Sequence, residues 1–495
     1  MKHASPAPSA LARSGSRRDF FRRAFTAPVA PATRPVADPP QQVAFNTIPA
    51  PGFWADPKLR LVRRATMGLS PADVSDVRRM GYQQWLNSQV FYSEIDDSLT
   101  DSTVAQRYPL LSQTAAQLAP VNQGTLQTQL QEATLYRAVV SRRQLYERMV
   151  EFWSDHFNIS FPKVGYLKAL DDRDVIRKFA MGKFSDLLKA SAHSPAMLAY
   201  LDQNTSRVGS PNQNYVRELM ELHTLGVDGG YTQDDVAELS RVFTGWTFTG
   251  AGDFSFNPQR HDYTQKVVLG VTLPATSPSS GSAGILEGEQ MLNVLINHQS
   301  TARFIATKML KWLLTPEPTT AQVNAIANVY RVTKGDIKLM VRAILNDAWI
   351  TAAPLKFKRP FHYVASAMRA TTPAITSVST MRNQVRTLGQ ESFVFETPDG
   401  YPDTVEYWSG NIAPRWSFAN TLTGLNNQTV IATAPYLAGT ADAAIDKMQA
   451  DYFADELPLA TRLVLLNYLK GGTFDVTRVR ETIALALSAA EFQWY

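Results

Sequence analysis

Apolar positions recur at helical spacing along most of the chain, and the residues between them are those of helix ends. Leu145, Met149, Phe152 and Trp153 step along one face, so Leu126 to Phe157 predicts one or two long helices. Ser70, Pro71 and Asp73 combine a capping hydroxyl, proline at the first helical position and an acid in the first turn. Gly81 closes that helix, and a second short one is expected from Tyr82 to about Val90. Asp172 is expected to cap a helix that Gly182 breaks, and Ser194 with Pro195 opens another. Helices resume at Gly288, with breaks near Pro316, Gly335, Pro354 and Pro360, and the last is expected from Val476 to about Phe492.

Period-two alternation is scarce. Phe254 and Phe256, then Val267, Val268 and Leu269, flank the polar run His261 to Thr264 and predict one β-hairpin near 253–270. The Ser-, Gly- and Pro-rich stretch 274–284 reads as a surface loop. The pattern therefore predicts a mainly α fold: one large multi-helix globular body over 51–495 with one small β-hairpin insertion.

Composition narrows the chemistry. A chain of 495 residues with 44% apolar content can bury roughly three quarters of the surface its unfolded form exposes. The net charge of +5 is small, and the basic residues form no stripe, which argues against nucleic acid as a partner. The absence of cysteine excludes disulfides, thiolate metal sites and cysteine nucleophiles, leaving oxygen and imidazole chemistry. No run approaches the roughly 18 apolar residues of a membrane-spanning helix. Residues 1–50 differ from the rest, being rich in proline and alanine. Arg17 and Arg18 precede Phe20 and Phe21 there in the manner of a twin-arginine export signal, with cleavage expected near Ala30 or Ala32. A periplasmic or extracellular location is the corresponding expectation, and a merely disordered basic leader is the alternative.

Candidate chemistry concentrates between Asn212 and Trp246. On an ideal helix Asn214, Arg217, Glu218 and Glu221 fall at about 0, 300, 40 and 340°, all on one face, while His223 lies near 180° on the apolar side. Two carboxylates with an arginine and an amide suit a hard cation or an acid and base pair; they equally suit a solvated face of ordinary ion pairs. His156 ends a helix beside Asp155 and is either a packed core histidine or a converging imidazole. His261 and Asp262 fall on the expected hairpin turn, where exposed polar residues and functional loops both occur. His193, His298 and His362 read as structural. Asp228 to Asp235 lacks the alternating acids of a calcium loop, so Thr232 capping the next helix with Asp235 is the better account. Zinc-protease, nucleophile-elbow, phosphate-loop and dinucleotide motifs are missing, and there is no nucleotide or haem signature. The segment Thr397 to Leu422 is turn-rich and aromatic, with Trp408 and Trp416 needing cover from packing or from a ligand.

The run NQNYVRELMELHTLGVDGGYTQDDV from Asn212 closely resembles the central motif of the bacterial family known as domain of unknown function 1800, which typically has glutamate where this chain has Gln213. The resemblance extends to LVRRATMGLSPADV from Leu61, FWSDHFNIS from Phe152, HSPAMLAYLD from His193, RHDYTQKVVLG from Arg260, TARFIATKML from Thr301, PDGYPDTVEYW from Pro398 and the terminal SAAEFQWY. It implies a mainly helical, usually exported protein, often encoded beside a second exported family, and no established activity. Two functional expectations follow. The first is an envelope enzyme acting on an extracellular polymer by carboxylate, imidazole or hard-cation chemistry, with Glu218, Glu221, Arg217, Asn214, His156, His261 and Asp262 as candidate site residues. The alternative is a non-catalytic envelope binding or assembly protein acting with an exported partner. The candidate cofactor is a divalent cation.

Overall fold

Proline at the first helical position, with a polar residue before it, opens several of the helices, at Pro57, Pro71, Pro195 and Pro360. The computed structural model describes residues 54–278, 282–424 and 427–495. The leader with Arg17 and Arg18 and the middle of the 274–284 loop lie outside the described residues. Near the start, α1 (Pro57–Ala65) is capped by Asp56, and α2 (Pro71–Met80) by Ser70, whose side chain accepts from the Asp73 amide. Gly81, at φ +81°, ends α2, and α3 (Tyr82–Val90) follows at once. The long apolar stretch resolves into two helices, α4 (Gln123–Val140) and α5 (Gln144–His156).

Asp172 does not cap a helix. Instead α6 (Tyr166–Asp171) runs on into a π-helical turn, Asp172–Arg177, in which Asp172 has αR dihedrals and its carboxylate faces Arg177 Nε at 3.2 Å. A side chain engaged in an ion pair is not available to cap backbone amides. The expected break at Gly182 and the start at Pro195 are both present, although the Ser194 hydroxyl donates to Asp171 rather than capping its own helix. A second π turn follows α7 (Gln213–Glu218), over Leu219–Thr224, and α8 (Gln233–Val242) opens on the expected Thr232–Asp235 capping box.

The single hairpin expected near 253–270 is two. Strand β1 (Trp246–Phe248) pairs with β2 (Phe254–Phe256), and β3 (Lys266–Val268) with β4 (Val271–Leu273), both antiparallel. Local turns account for this: Gly252 at φ +79° closes the first, and Leu269 and Gly270, at φ +49° and +75°, give consecutive left-handed residues suited to a two-residue hairpin loop. A third, two-residue pairing joins β5 (Ala374–Ile375) to β6 (Thr429–Val430). The fold is mainly α with small hairpins.

Helices resume earlier than expected, with α9 (Ala283–Asn297), followed by α10 (Gln299–Leu313), α11 (Pro360–Thr371), α12 (Ile412–Thr423), α13 (Leu459–Lys470) and α14 (Val476–Ser488). Two large apolar clusters fill the body. One includes Leu145, Met149 and Trp153 of α5, Ile305 and Met309 of α10 and the apolar faces of α1 to α3. The other gathers Leu135 of α4, Tyr363 and Met368 of α11, Phe418 of α12 and Ile483 of α14. The C-terminal residues close the second cluster, with the Tyr495 amide and carbonyl exchanging hydrogen bonds with Lys356 at 2.9 and 2.8 Å. Among the described residues no helix is long and apolar enough to cross a membrane.

Candidate functional site

The helix that carries the polar stripe is α7, and its cap explains its start: the Asn212 side chain accepts from the Asn214 amide at 2.7 Å. Asn214 is exposed, and Arg217, Glu218 and Glu221 are half-buried. Arg217 faces Glu221 at 3.7 Å and donates to Gln233 of α8 at 3.1 Å. These are the contacts of a helix surface. His223 is carried inward by the π turn and is buried.

His261 and Asp262 are buried rather than exposed on a turn. His261 Nδ1 lies 2.8 Å from the Thr244 carbonyl oxygen, and its Nε2 lies 3.3 Å from Glu287 Oε2 of α9. Glu287 also accepts from Lys266 at 2.7 Å and from Thr276 at 2.9 Å. Burial pushes the Glu287 carboxyl up, but the bonds from His261, Lys266 and Thr276 outweigh it and hold it low. Asp262 takes Arg241 Nε at 2.8 Å and the Thr264 hydroxyl at 2.5 Å, and these bonds likewise overcome burial and lower its carboxyl. Every charge in this network has an opposite partner, so it ties the hairpins to α8 and α9.

His156 points into aromatic packing. Its ring lies 4.5 Å from that of Phe157 and 6.0 Å from that of His223, and its Nε2 is 3.2 Å from the His223 carbonyl oxygen. Burial, with the positive charge of Lys308 adding to it, holds the His156 imidazole well below its ordinary range; the same causes pull His223 down to about 3. Both rings are neutral at physiological pH. The structure therefore brings none of Asn214, Arg217, Glu221, His261 or Asp262 to His156.

The opposite face of α5 brings charge together instead. Glu151 Oε1 and Asp155 Oδ2 take the two terminal nitrogens of Arg359 at 2.5 and 2.6 Å, and Glu151 Oε2 takes Arg148 at 3.0 Å. Lys356 reaches Asp403 at 2.6 Å. Trp312 of α10 lies under these cations, with Arg148 Cζ at 4.4 Å and Arg359 Cζ at 4.6 Å from its ring centroid. Burial pushes the Asp155 carboxyl up, Arg359 opposes and Glu151 adds. Burial pulls the Lys308 ammonium down to about 8, against the charges of Asp155 and Asp399. Burial thus moves a carboxyl up and an amine down, the directions that acid and base chemistry uses. The loop 397–403 is seated against this cluster because Gly400 leaves no room for a side chain; a Cβ there would come within 2.4 Å of the Asp155 carbonyl oxygen.

Beside this cluster lies a cavity of about 50 Å3, lined by Glu147, Glu151, Asp155, Asp172, Asn158 and Tyr401 among others. Glu147 and Asp172 are held by Arg177, which makes two bonds to Glu147 at 3.1 and 2.9 Å. Among the described residues no three His, Asp or Glu side chains converge as a metal-holding group, and the carboxylates here are paired with arginines.

The family model described as protein of unknown function, DUF1800, matches residues 60–494. The chain belongs to this family. No curated protein and no solved structure matches it.

In this DUF1800 chain, the residues that sequence reasoning did not single out are Glu151, Lys308, Arg359 and Asp403. The signals were present: Asp155 lies inside FWSDHFNIS, Lys308 inside TARFIATKML, and Asp403 inside PDGYPDTVEYW. Four distant segments, Arg359 supplying the fourth, had to be brought together before their charges meant anything. Of the aromatic pair, Trp408 is buried and donates to the Pro402 carbonyl at 2.7 Å, whereas Trp416 is exposed on a groove of about 710 Å3 with Val464 and Leu485.

Proposed function

We propose that this DUF1800 protein is an exported enzyme of the bacterial envelope that hydrolyses an extracellular polymer, using Lys308 as its acid and Asp155 as its base. The observation that carries the reading is the raised carboxyl of Asp155, on the wall of a small cavity, in the electrostatic neighbourhood of the lowered Lys308 amine. In the proposed step the Lys308 ammonium gives its proton to the leaving oxygen as the scissile bond breaks. The Asp155 carboxylate takes a proton from the attacking water, whose hydroxyl completes the other product. Arg359, fixed by Glu151 and Asp155, positions the carboxyl. Export rests on Arg17 and Arg18 ahead of Phe20 and Phe21, and changing both arginines to lysine should retain the protein in the cytoplasm.

The test is release of new reducing ends from bacterial envelope polysaccharide by the purified chain and by Asp155→Asn and Lys308→Met. The expected result is release by the parent and a loss of about a hundredfold or more in each variant at unchanged melting temperature. No release by the parent, or equal release by the variants, overturns the reading and leaves the binding or assembly role with an exported partner.

A further inference from the structure

Away from the charged cluster, the C-terminal helices leave an apolar groove uncovered. Trp416 of α12, Val464 of α13 and Leu485 of α14 are 53%, 63% and 40% exposed, and all three line the groove of about 710 Å3. Single exposed apolar residues are ordinary, but a contiguous set lining one concavity marks a contact surface. In α13 the sequence LATRLVLLNYLK buries Leu465, Leu466 and Leu469 in the second apolar cluster, while Leu459, Leu463 and Val464 are exposed. The helix is therefore apolar on more than the side that the fold covers.

The walls are helix faces. On α14 Glu481, Ala484, Leu485 and Ser488 fall at i, i+3, i+4 and i+7, and on α13 Ala460, Val464 and Tyr468 fall at i, i+4 and i+8. From Ala460 to Tyr468 the wall runs roughly 12 Å, at about 1.5 Å per residue, which is about two helical turns. Glu481 accepts from the Tyr468 hydroxyl at 2.7 Å and Glu491 from the Thr461 hydroxyl at 2.6 Å. Thr461 and Tyr468 stand roughly 10 Å apart along α13, so the two carboxylates lie toward opposite ends of the groove. Among the described residues that line it, these two are the charged ones, and both are negative. Arg478 approaches Glu481 at 3.7 Å from outside the lining, whereas Glu491 is met by a neutral hydroxyl.

We propose that this groove docks a basic amphipathic helix of a partner protein. The helix lays apolar side chains at i, i+3, i+4 and i+7 on Trp416, Val464 and Leu485, and two lysines or arginines about seven residues apart reach Glu481 and Glu491. Trp416 supplies the kind of large aromatic contact in which such interfaces concentrate their affinity. A polysaccharide is disfavoured because the floor is aliphatic, with Val464, Leu465, Ala484 and Leu485 around one tryptophan. An anionic lipid surface is disfavoured because both lining carboxylates repel it. The groove is built on α12, α13 and α14, not on the α5 and α10 that carry Asp155 and Lys308, so the docking does not depend on the proposed hydrolysis.

Fluorescence anisotropy of a labelled synthetic helix of leucine and lysine, about 15 residues long, titrated with the full chain, tests this. The lysine peptide should bind saturably, and the same peptide with glutamate in place of lysine should bind at least about tenfold more weakly. Trp416→Ala and Leu485→Asp alter exposed positions, so they should leave the melting temperature unchanged and weaken binding about tenfold or more. Glu481→Lys combined with Glu491→Lys should reverse the preference between the two peptides; if that double variant does not fold, Glu481→Lys alone should narrow it. No saturable binding, equal binding of the glutamate peptide, or unchanged binding in folded Trp416→Ala and Leu485→Asp overturns the inference. So does Trp416-dependent binding of a chitin oligosaccharide or of phosphatidylglycerol vesicles in place of the peptide, or Trp416-dependent dimerisation in sedimentation. Those results assign the groove to a sugar, a lipid or a second copy of this chain.

Discussion

Single residues show how burial sets charge in this protein. His156, His223 and His362 are buried, and burial holds all three imidazoles below their ordinary range. The folded state keeps them neutral where the unfolded chain takes up protons below about pH 6.5, so stability is lost as pH falls through that point and is fully present above it. Each contributes a slope of up to about 1.4 kcal/mol per pH unit. Melting temperature should therefore drop steeply from pH 6.5 to 5, and His223→Gln should flatten that drop; a flat profile in the parent would contradict the burial argument. Arg359 and Glu221 offer a contrast in ion pairs. Arg359→Leu strips Asp155 of its ion-pair partner and leaves Glu151 with Arg148 alone, and should cost about 3–5 kcal/mol in denaturant unfolding. Glu221→Ala touches a half-exposed pair at 3.7 Å and should cost no more than about 0.5 kcal/mol. Comparable losses in the two variants would mean that the polar stripe of α7 matters more than its geometry indicates.

Elements were legible wherever the local sequence decides them. The Ser70 cap, the Gly81 stop, the span of α3 and the Thr232–Asp235 capping box all depend on residues within one turn of each other, and each is present. Two kinds of feature were hidden. The π turns at Asp172–Arg177 and Leu219–Thr224 break the regular 100° advance that a helical wheel assumes, and nothing in the local composition marks them. The hairpins were misassigned because the apolar alternation matched strands across His261 to Thr264, while the turn chemistry at Gly252 and Gly270 pairs each strand with its nearer neighbour. The loop 397–403 depends on tertiary contact in the same way. Gly400 sits at φ +74° against the backbone of Asp155, so Gly400→Ala meets both backbone strain and a clash. It should destabilise the protein by more than about 1 kcal/mol in urea unfolding and disturb the packing around Tyr401. A variant as stable as the parent would mean that this loop is not anchored on α5.

At the scale of the whole molecule, two apolar clusters meet along α4 and α5, and the charged side chains of α5, α10, α11 and the 397–403 loop lie where they meet. The fold class was readable from periodicity because it depends on local pattern summed over many elements. The candidate centre was not, since Asp155, Lys308, Arg359 and Asp403 are spread over some 250 positions of the chain and each alone reads as a surface charge. Sequence reasoning instead favoured Glu218 and Glu221, whose spacing on one helix was visible, with His156 or His261 as a converging imidazole; α7 turns to the surface and His156 to the aromatic core. The central claim is that burial tunes Asp155 and Lys308 against each other. It is tested most directly by NMR titration of Lys308 after isotopic dimethylation of the lysines. The expected result is a Lys308 resonance titrating at about 8, apart from lysines near their ordinary 10.5, and moving lower still in Asp155→Asn because the Asp155 charge raises it. A Lys308 that titrates with the surface lysines, or that ignores the loss of Asp155, would contradict the account.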